Sequence, residues 1–354
     1  MKAVVLCAGK GIRLRPLTHT GAKHLIPVAN KPVIEYNIEA LQDAGIEEVG
    51  IVVSPNVEDE FTARLGDGSR WGVRIHYILQ RDPKGLAHAV ACVEEFVGDE
   101  PFLVYLGDNL LENGVRRFID DFNASDAHAA IVLYEVNDPS RFGVAEIEDG
   151  QIVRLVEKPE QPRSNQAIIG VYLFDRNIFP AIEATEPSAR GELEITDAIQ
   201  RLIEEGHQVI PYSVEGWWID TGGPEDVLHA NQLILEQLTG EIHGQVQDSS
   251  LTGRVVVAEG TKIVDSKLRG PIKIGPDVHI ERSFIGPFTS IDRGTVIRNS
   301  EVEYSIVMEA SRIENVVGRI DHSLIGRNVQ IGRKTEPPEA YQLILGDNSC
   351  IRLI

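Results

Sequence analysis

Residues 1–34 carry Lys2, Lys10, Arg13, Arg15, Lys23 and Lys31 and no acidic residue, in a chain whose formal net charge is −20. A basic island of this kind suits a small polyanion. Gly9 and Gly11 let backbone N–H groups come close to phosphate oxygens. Arg13 offers a planar fork for two oxygens, and Lys23 a mobile point charge. The loop is not a P-loop, because it lacks G-x-x-x-x-G-K-[ST], and the run GKGIRL from Gly9 has Leu14 where a dinucleotide fingerprint needs its third glycine. Two aspartates close apolar runs further on. Asp108 follows Phe102–Leu106, and Asp220 follows Trp217-Trp218-Ile219. An aspartate at a strand end either closes a turn or supplies hard oxygen ligands. No Ser-His-Asp or Cys-His arrangement suggests a nucleophilic enzyme.

These groups need a scaffold, and hydrophobic periodicity indicates one. Ala3–Ala8, Val49–Val53, Phe102–Leu106 and Ala130–Val136 read as buried strands. Helical patterns fall at Pro32–Ala44, Leu86–Val97, Glu192–Glu204 and Glu225–Glu236. The β-α-β-α rhythm predicts a Rossmann-like, mixed but mostly parallel sheet covered on both faces, an α/β fold whose ligands sit at the carboxyl edge. From Val144 the pattern turns to antiparallel strands, with a hairpin signal at Asp149-Gly150.

Near Thr239–Gly253 the chain is polar and reads as a linker. Beyond it aliphatic residues recur every five or six positions: Val257, Ile263, Leu268, Ile274, Ile280, Ile285, Ile291, Ile297, Val302, Val307 and Ile313, resuming at Ile325 and Ile331. No helix has that period. A left-handed parallel β-helix does, each short side supplying one inward aliphatic residue, with glycine or small residues at the corners. The Ile-Gly pairs at Gly275, Gly286, Gly326 and Gly332 fit that expectation. Residues 1–240 are therefore expected to form one domain and 241–354 the β-helix, with Pro337-Pro338 ending it.

The acidic balance argues against nucleic acid or an anionic membrane as partner. Cys7, Cys92 and Cys350 are widely spaced, which suits a reduced, cytoplasmic protein without a disulfide framework or zinc site. The apolar start is too short for a signal peptide or a membrane span.

Taken together, the motifs are similar to the signature of sugar-nucleotide pyrophosphorylases. These are LCAGKGIRLRPLT (Leu6–Thr18), AKHLIPVANKP (Ala22–Pro32), QRDPKGLAHA (Gln80–Ala89), YLGDN (Tyr105–Asn109), FGV (Phe142–Val144), VEKP (Val156–Pro159), GELEITD (Gly191–Asp197) and WWIDTG (Trp217–Gly222). The chain most resembles the long-form glucose-1-phosphate thymidylyltransferases, a group with an added β-helix. Two departures stand out: Ile12 where the signature has Thr, and His24 where Gln is common.

The resemblance implies that dTTP and glucose 1-phosphate give dTDP-glucose and pyrophosphate. It implies that Asp108 and Asp220 hold Mg²⁺, that Arg13 binds the departing pyrophosphate, and that Lys23 binds the α-phosphate. Lys158 would neutralise the sugar phosphate and Glu157 would accept sugar hydroxyls, with Gly143 and Val171 lining the sugar pocket. Gln80 would read the base, its amide suiting a pyrimidine edge, with the Gly85 backbone nearby and Gly9 and Gly11 at the nucleotide. The resemblance also implies a homo-oligomer. His24, His76 and His88 read as structural or surface residues, and Trp217 and Trp218 as core. Three other readings stay open: UTP or another sugar 1-phosphate as substrate, a bifunctional enzyme with an acyl-transferring β-helix around His279 or His322, and an inactive nucleotide-sugar sensor.

Overall fold

The structure, a computed structural model, describes residues 1–333. Cys350, the Pro337-Pro338 stop and residues 340–354 lie outside the described residues. The chain divides into two compact units. One comprises Met1–Lys10 and Val33–Asp220; the other comprises Gly11–Pro32 and the chain from Thr221 onward.

The first unit is built on a nine-stranded mixed sheet. Lys2–Leu6 lies at its centre, parallel to Glu48–Val53 on one side and to Phe102–Leu106 on the other. Arg74–Leu79 extends the parallel part beyond Glu48–Val53. On the other side Gln166–Phe174 runs antiparallel to Phe102–Leu106, and the hairpin Gly143–Glu148/Gln151–Glu157 completes that flank. Asp149 and Gly150 both have positive φ, 50° and 78°, which a two-residue hairpin turn of type I′ requires. Val4, Phe102, Val104, Ile131 and Phe174 pack with Val90, Val97, Ile199 and Leu202 from the covering helices, all essentially inaccessible to water. Each such side chain contributes roughly 1.5–3 kcal/mol of burial.

Several expectations shift. The helix expected at Leu86–Val97 is two short helices, Leu86–Ala91 and Glu94–Val97. The chain tightens between them, the Val93 amide donating to Val90 O at 3.1 Å, yet Val90, Val93 and Val97 stay buried. The helix expected from Glu192 begins at Ile195, because Glu194 is still extended at ψ 133°.

In the second unit, each turn of chain adds one short strand to each of three parallel sheets, which is consistent with a left-handed parallel β-helix. The aliphatic residues form three vertical stacks. Val257, Ile274, Ile291, Val307 and Ile325 pair in one sheet, and Ile263, Ile280, Ile297, Ile313 and Ile331 in the second. Leu268, Ile285, Val302 and Ile320 form the third. Ile320 is the member that interrupts the sequence spacing between Ile313 and Ile325.

Two details of the β-helix correct the sequence reading. The segment 239–253 is not a linker: Glu241–Ile242, Gln245–Gln247 and Ser250–Thr252 are the first rung. It reads as polar because a terminal rung has a neighbour on one side only; Ile242 and Val246 remain exposed. The corners, too, are mostly not turned by glycine. Asp265, Arg282, Asn299 and Asn315 form one column of left-handed residues, and Phe288, Tyr304 and His322 another. Buried hydroxyls join the rungs behind the first column, with Ser283 N–H donating to Ser266 Oγ at 3.1 Å and Ser300 N–H to Ser283 Oγ at 3.3 Å. In the second column Phe288 and Tyr304 meet at 5.2 Å with tilted rings, and Tyr304 stacks on His322 at 4.9 Å. At Gly275 the need is space: a Cβ would lie 2.9 Å from the Arg293 amide nitrogen of the next rung.

The signature segment from Gly11 to Pro32 belongs to this unit. Asn231, fully buried on the helix Pro224–Glu236, accepts from the Ala29 amide at 2.9 Å and from Ser290 Oγ at 2.9 Å, and donates to Phe288 O at 3.0 Å. Asn30 Nδ2 donates to Ile291 O at 2.8 Å.

Candidate active site

Sheet register brings most of the candidate residues of the first unit to one edge. Lys2–Leu6, Glu48–Val53, Arg74–Leu79 and Phe102–Leu106 all point their carboxyl ends the same way. Gly9 follows the first of these, Gln80 the third and Asp108 the fourth. Val171 reaches the same edge because Gln166–Phe174 runs the other way, with Val171 opposite Tyr105. Gly143 lies opposite both Ile168 and Glu157. Across the edge the order is Glu157, Gly143, Val171, Asp108, Gly9, Gln80.

A small ribbon brings Asp220 beside the residue that follows Asp108. Asn109–Leu111 pairs antiparallel with Trp218–Asp220, and Asp220 lies opposite Asn109. Asn109 organises the surroundings. Its Nδ2 donates to Asp108 Oδ1 at 2.9 Å, while its Oδ1 accepts from Trp218 Nε1 at 2.6 Å and from the Gly170 amide at 3.3 Å. Asn37 Nδ2 donates to Asn109 O at 2.7 Å. Among the described residues no group of three or more His, Cys, Asp or Glu side chains is arranged to hold a metal. Two carboxylates at the same end of the ribbon nevertheless suit Mg²⁺, which keeps waters and substrate phosphates in its remaining positions.

At the other flank Glu157 is tightly held. Its Oε2 accepts from Thr196 Oγ1 at 2.7 Å, and its Oε1 accepts from Arg190 Nη2 at 3.1 Å. A Cβ on Gly143 would lie 2.9 Å from Thr196 Oγ1 and 3.1 Å from Glu157 Oε2, so a side chain there would crowd the carboxylate. Lys158 has φ 42°, and its amide donates to Phe142 O at 3.0 Å. In a regular strand Glu157 and Lys158 would face opposite ways. The left-handed residue breaks that alternation, and Lys158 Nζ lies 3.5 Å from Glu157 Oε1. Arg190 also bonds Glu194 Oε1 at 2.8 Å. Partial desolvation, then the charges of Glu194 and Glu157, push the Asp197 carboxyl above its ordinary value, with Arg190 opposing.

At the opposite end Gln80 is buried, its Nε2 donating to Gly85 O at 3.3 Å and lying 2.9 Å from His88 Nδ1. Gly85 has φ 112°, and a Cβ there would lie 2.5 Å from Leu193 O, so only glycine fits.

Arg13 and Lys23 belong to the second unit. Gly11, at φ 60°, starts the 3-10 turn Ile12–Leu14. A Cβ on Gly11 would be 3.0 Å from both Lys23 Cβ and Thr18 Cγ2, and Thr18 Oγ1 donates to Gly11 O at 2.7 Å. Ile12, which stands where the signature has Thr, is 60% exposed, whereas His24 is buried.

Thr196, Arg190 and Asn109 escaped the sequence reading, and His88 reads there as structural or surface. Thr196 and Arg190 lie in or beside the GELEITD block, so their place in a motif was a signal. His88 lies in the QRDPKGLAHA block, but its contact with Gln80 depends on a helix folding back. Trp218 is half-buried, ringed by Tyr134 and Phe142 at 5.6 and 5.5 Å. His322 is a corner residue bonded to Asp321, and His279 faces Glu281 at 3.4 Å.

A Rossmann-like sheet with phosphate-suited, acidic and sugar-suited groups along one edge defines a nucleotide-dependent transferase. The chain belongs to the nucleotidyl transferase family, whose sequence model matches residues 2–237, and it is a nucleotidyltransferase. It is 47% identical to a glucose-1-phosphate thymidylyltransferase of Streptomyces griseus, over 99% of this chain and 98% of that one. It is 46% identical to the low-salt glycan biosynthesis nucleotidyltransferase Agl11 of Haloferax volcanii, over the full length of both. Among solved structures it is similar to a Bacillus anthracis protein described as a glucose-1-phosphate thymidylyltransferase in complex with sucrose. That likeness has a TM-score of 0.64 and 35% identity, covering 68% of this chain and 98% of the other. Among the described residues no helix is long and apolar enough to cross a membrane.

Proposed function

We propose that the enzyme transfers a thymidylyl group from dTTP to glucose 1-phosphate, forming dTDP-glucose and releasing pyrophosphate. The observation that carries this reading is the order of groups along the sheet edge. A held carboxylate and a lysine suited to a sugar phosphate lie at one end, an amide suited to a base at the other, and Asp108 and Gly9 between them. That is the order of parts in a nucleoside-diphosphate sugar. The near-full-length likeness to a thymidylyltransferase supports the choice of substrates.

A phosphate oxygen of the sugar phosphate attacks the α-phosphorus. One P–O bond forms there, the bond to the β-phosphate bridge breaks, and pyrophosphate leaves. A phosphate monoester is mostly dianionic at neutral pH, its second pKa being about 6, so the nucleophile needs no general base. The protein's work is alignment and charge neutralisation. Glu157 orients the sugar through its hydroxyls, Lys158 meets the sugar phosphate, Lys23 the α-phosphate and Arg13 the departing pyrophosphate. Mg²⁺ held by Asp108 and Asp220 would supply further neutralisation of phosphate charge. In this reading residues 1–240 are the nucleotidyltransferase domain, which the family match over 2–237 supports, and 241–354 the β-helix.

The test is a pyrophosphate-release assay that crosses four nucleoside triphosphates with several sugar 1-phosphates in the presence of Mg²⁺. dTTP with glucose 1-phosphate should give the highest kcat/KM. A clear preference for UTP, or for another hexose phosphate, would replace the named substrates. No release with any pair would overturn the reading.

A further inference from the structure

Gln80 is an amide, and an amide on its own does not discriminate well between bases. Rotated one way it offers an acceptor to a ring N–H; rotated the other way it offers a donor to a bare ring nitrogen. The structure removes that freedom. Gly85 O, which can only accept, lies 3.3 Å from one end of the amide and identifies that end as Nε2. The same nitrogen lies 2.9 Å from His88 Nδ1. Since Nε2 is the donor, Nδ1 accepts, and the His88 proton resides on Nε2 of the ring. Both N–H bonds of the amide are thus committed inside the protein, leaving Oε1 for a ligand.

We propose that His88 is the positioning residue that sets nucleobase specificity, by holding Gln80 with Oε1 toward the base. The inference rests on the assignment of Gln80 to the nucleobase. Held this way, Gln80 accepts from a base with a ring N–H, as thymine and uracil have at N3. It repels cytosine, whose N3 is itself an acceptor. His88 is half-buried on the short helix Leu86–Ala91. That helix begins at Gly85, so one element supplies both partners of the amide nitrogen.

The experiment measures binding of dTTP, UTP and dCTP to the full-length protein with Mg²⁺, without sugar phosphate, in the wild type and two variants. His88→Leu removes the acceptor at similar volume. His88→Asn keeps an acceptor, Oδ1, at the δ position. His88→Leu should lower the dTTP-to-dCTP affinity ratio about tenfold, the scale of one hydrogen bond, and His88→Asn should restore most of it. An unchanged ratio in His88→Leu would overturn the proposal. So would an equal loss in both variants, which would mean that shape rather than the acceptor matters. If the wild type binds no pyrimidine nucleotide, the nucleotide reading itself falls. If it binds them but Gln80→Ala leaves the ratio unmoved, the role of Gln80 falls and that of His88 with it.

Discussion

Asp220 lies directly opposite Asn109 in a two-stranded antiparallel ribbon, and Asn109 bonds the carboxylate of Asp108, its neighbour in sequence. Two acidic residues more than a hundred positions apart thus come to the same end of the ribbon, Asp220 within it and Asp108 just before its first strand. Asp108→Asn and Asp220→Asn should each reduce Mg²⁺-dependent turnover by on the order of 10²–10³-fold, with circular dichroism and melting unchanged. Wild-type rates for either variant would count against a metal role for that residue.

Thr196 donates at 2.7 Å to Glu157, the carboxylate assigned to the sugar hydroxyls. Thr196→Val keeps the shape and removes the hydroxyl donor. KM for glucose 1-phosphate should rise about tenfold while KM for dTTP holds. Lys158→Ala should show the same selectivity more strongly. Steady-state kinetics with each substrate varied in turn would check both, and equal effects on the two substrates would remove the sugar assignment.

Asp197 makes a pH-dependent contribution whose sign follows from its surroundings. Its folded-state pKa is raised by desolvation, then by Glu194 and Glu157. A carboxyl raised in the folded state favours folding where it is protonated, and that favour is lost as pH rises through its folded pKa. Asp197→Asn should therefore raise Tm at pH 7, and the gain should fade as pH falls through the raised folded-state pKa and be gone at the ordinary carboxylate value. Melting curves between pH 3.5 and 8 would show this, and a gain that grows toward acid would reverse the sign.

Asn231 joins the signature segment to the β-helix within the second unit. Asn231→Ala leaves the Ala29 amide without its partner, a cost of roughly 1–3 kcal/mol for one buried donor. Hydrogen exchange at Ala29 should accelerate about tenfold or more while amides in the distant rungs keep their protection. Uniform acceleration would mean that the rungs and the segment open together.

The strand Phe102–Leu106 was legible residue for residue, because a buried strand bounded by Pro101 and Gly107 is a local signal. The β-helix was legible from spacing alone, since each inward aliphatic residue must satisfy a short period. Gln166–Phe174 was not read as a strand, though it carries Val171 and sits inside the sheet. Its register depends on partners on both sides rather than on a pattern within it. The first rung reads as a linker in the sequence, because a strand that ends a stack does not need an apolar code.

Residue types and order by themselves settled the chemistry on offer: cations and glycines near the start, two aspartates after apolar strands, an amide and a Glu-Lys pair, and a repeating aliphatic period. Folding decided which of these meet. It put Asp220 beside Asn109, turned Lys158 back toward Glu157, pinned Gln80 against His88, and placed Gly11–Pro32 in the same compact unit as the β-helix. Local sequence sets the conformation of a strand or helix, whereas its neighbours follow from burial and hydrogen bonding summed over the whole chain.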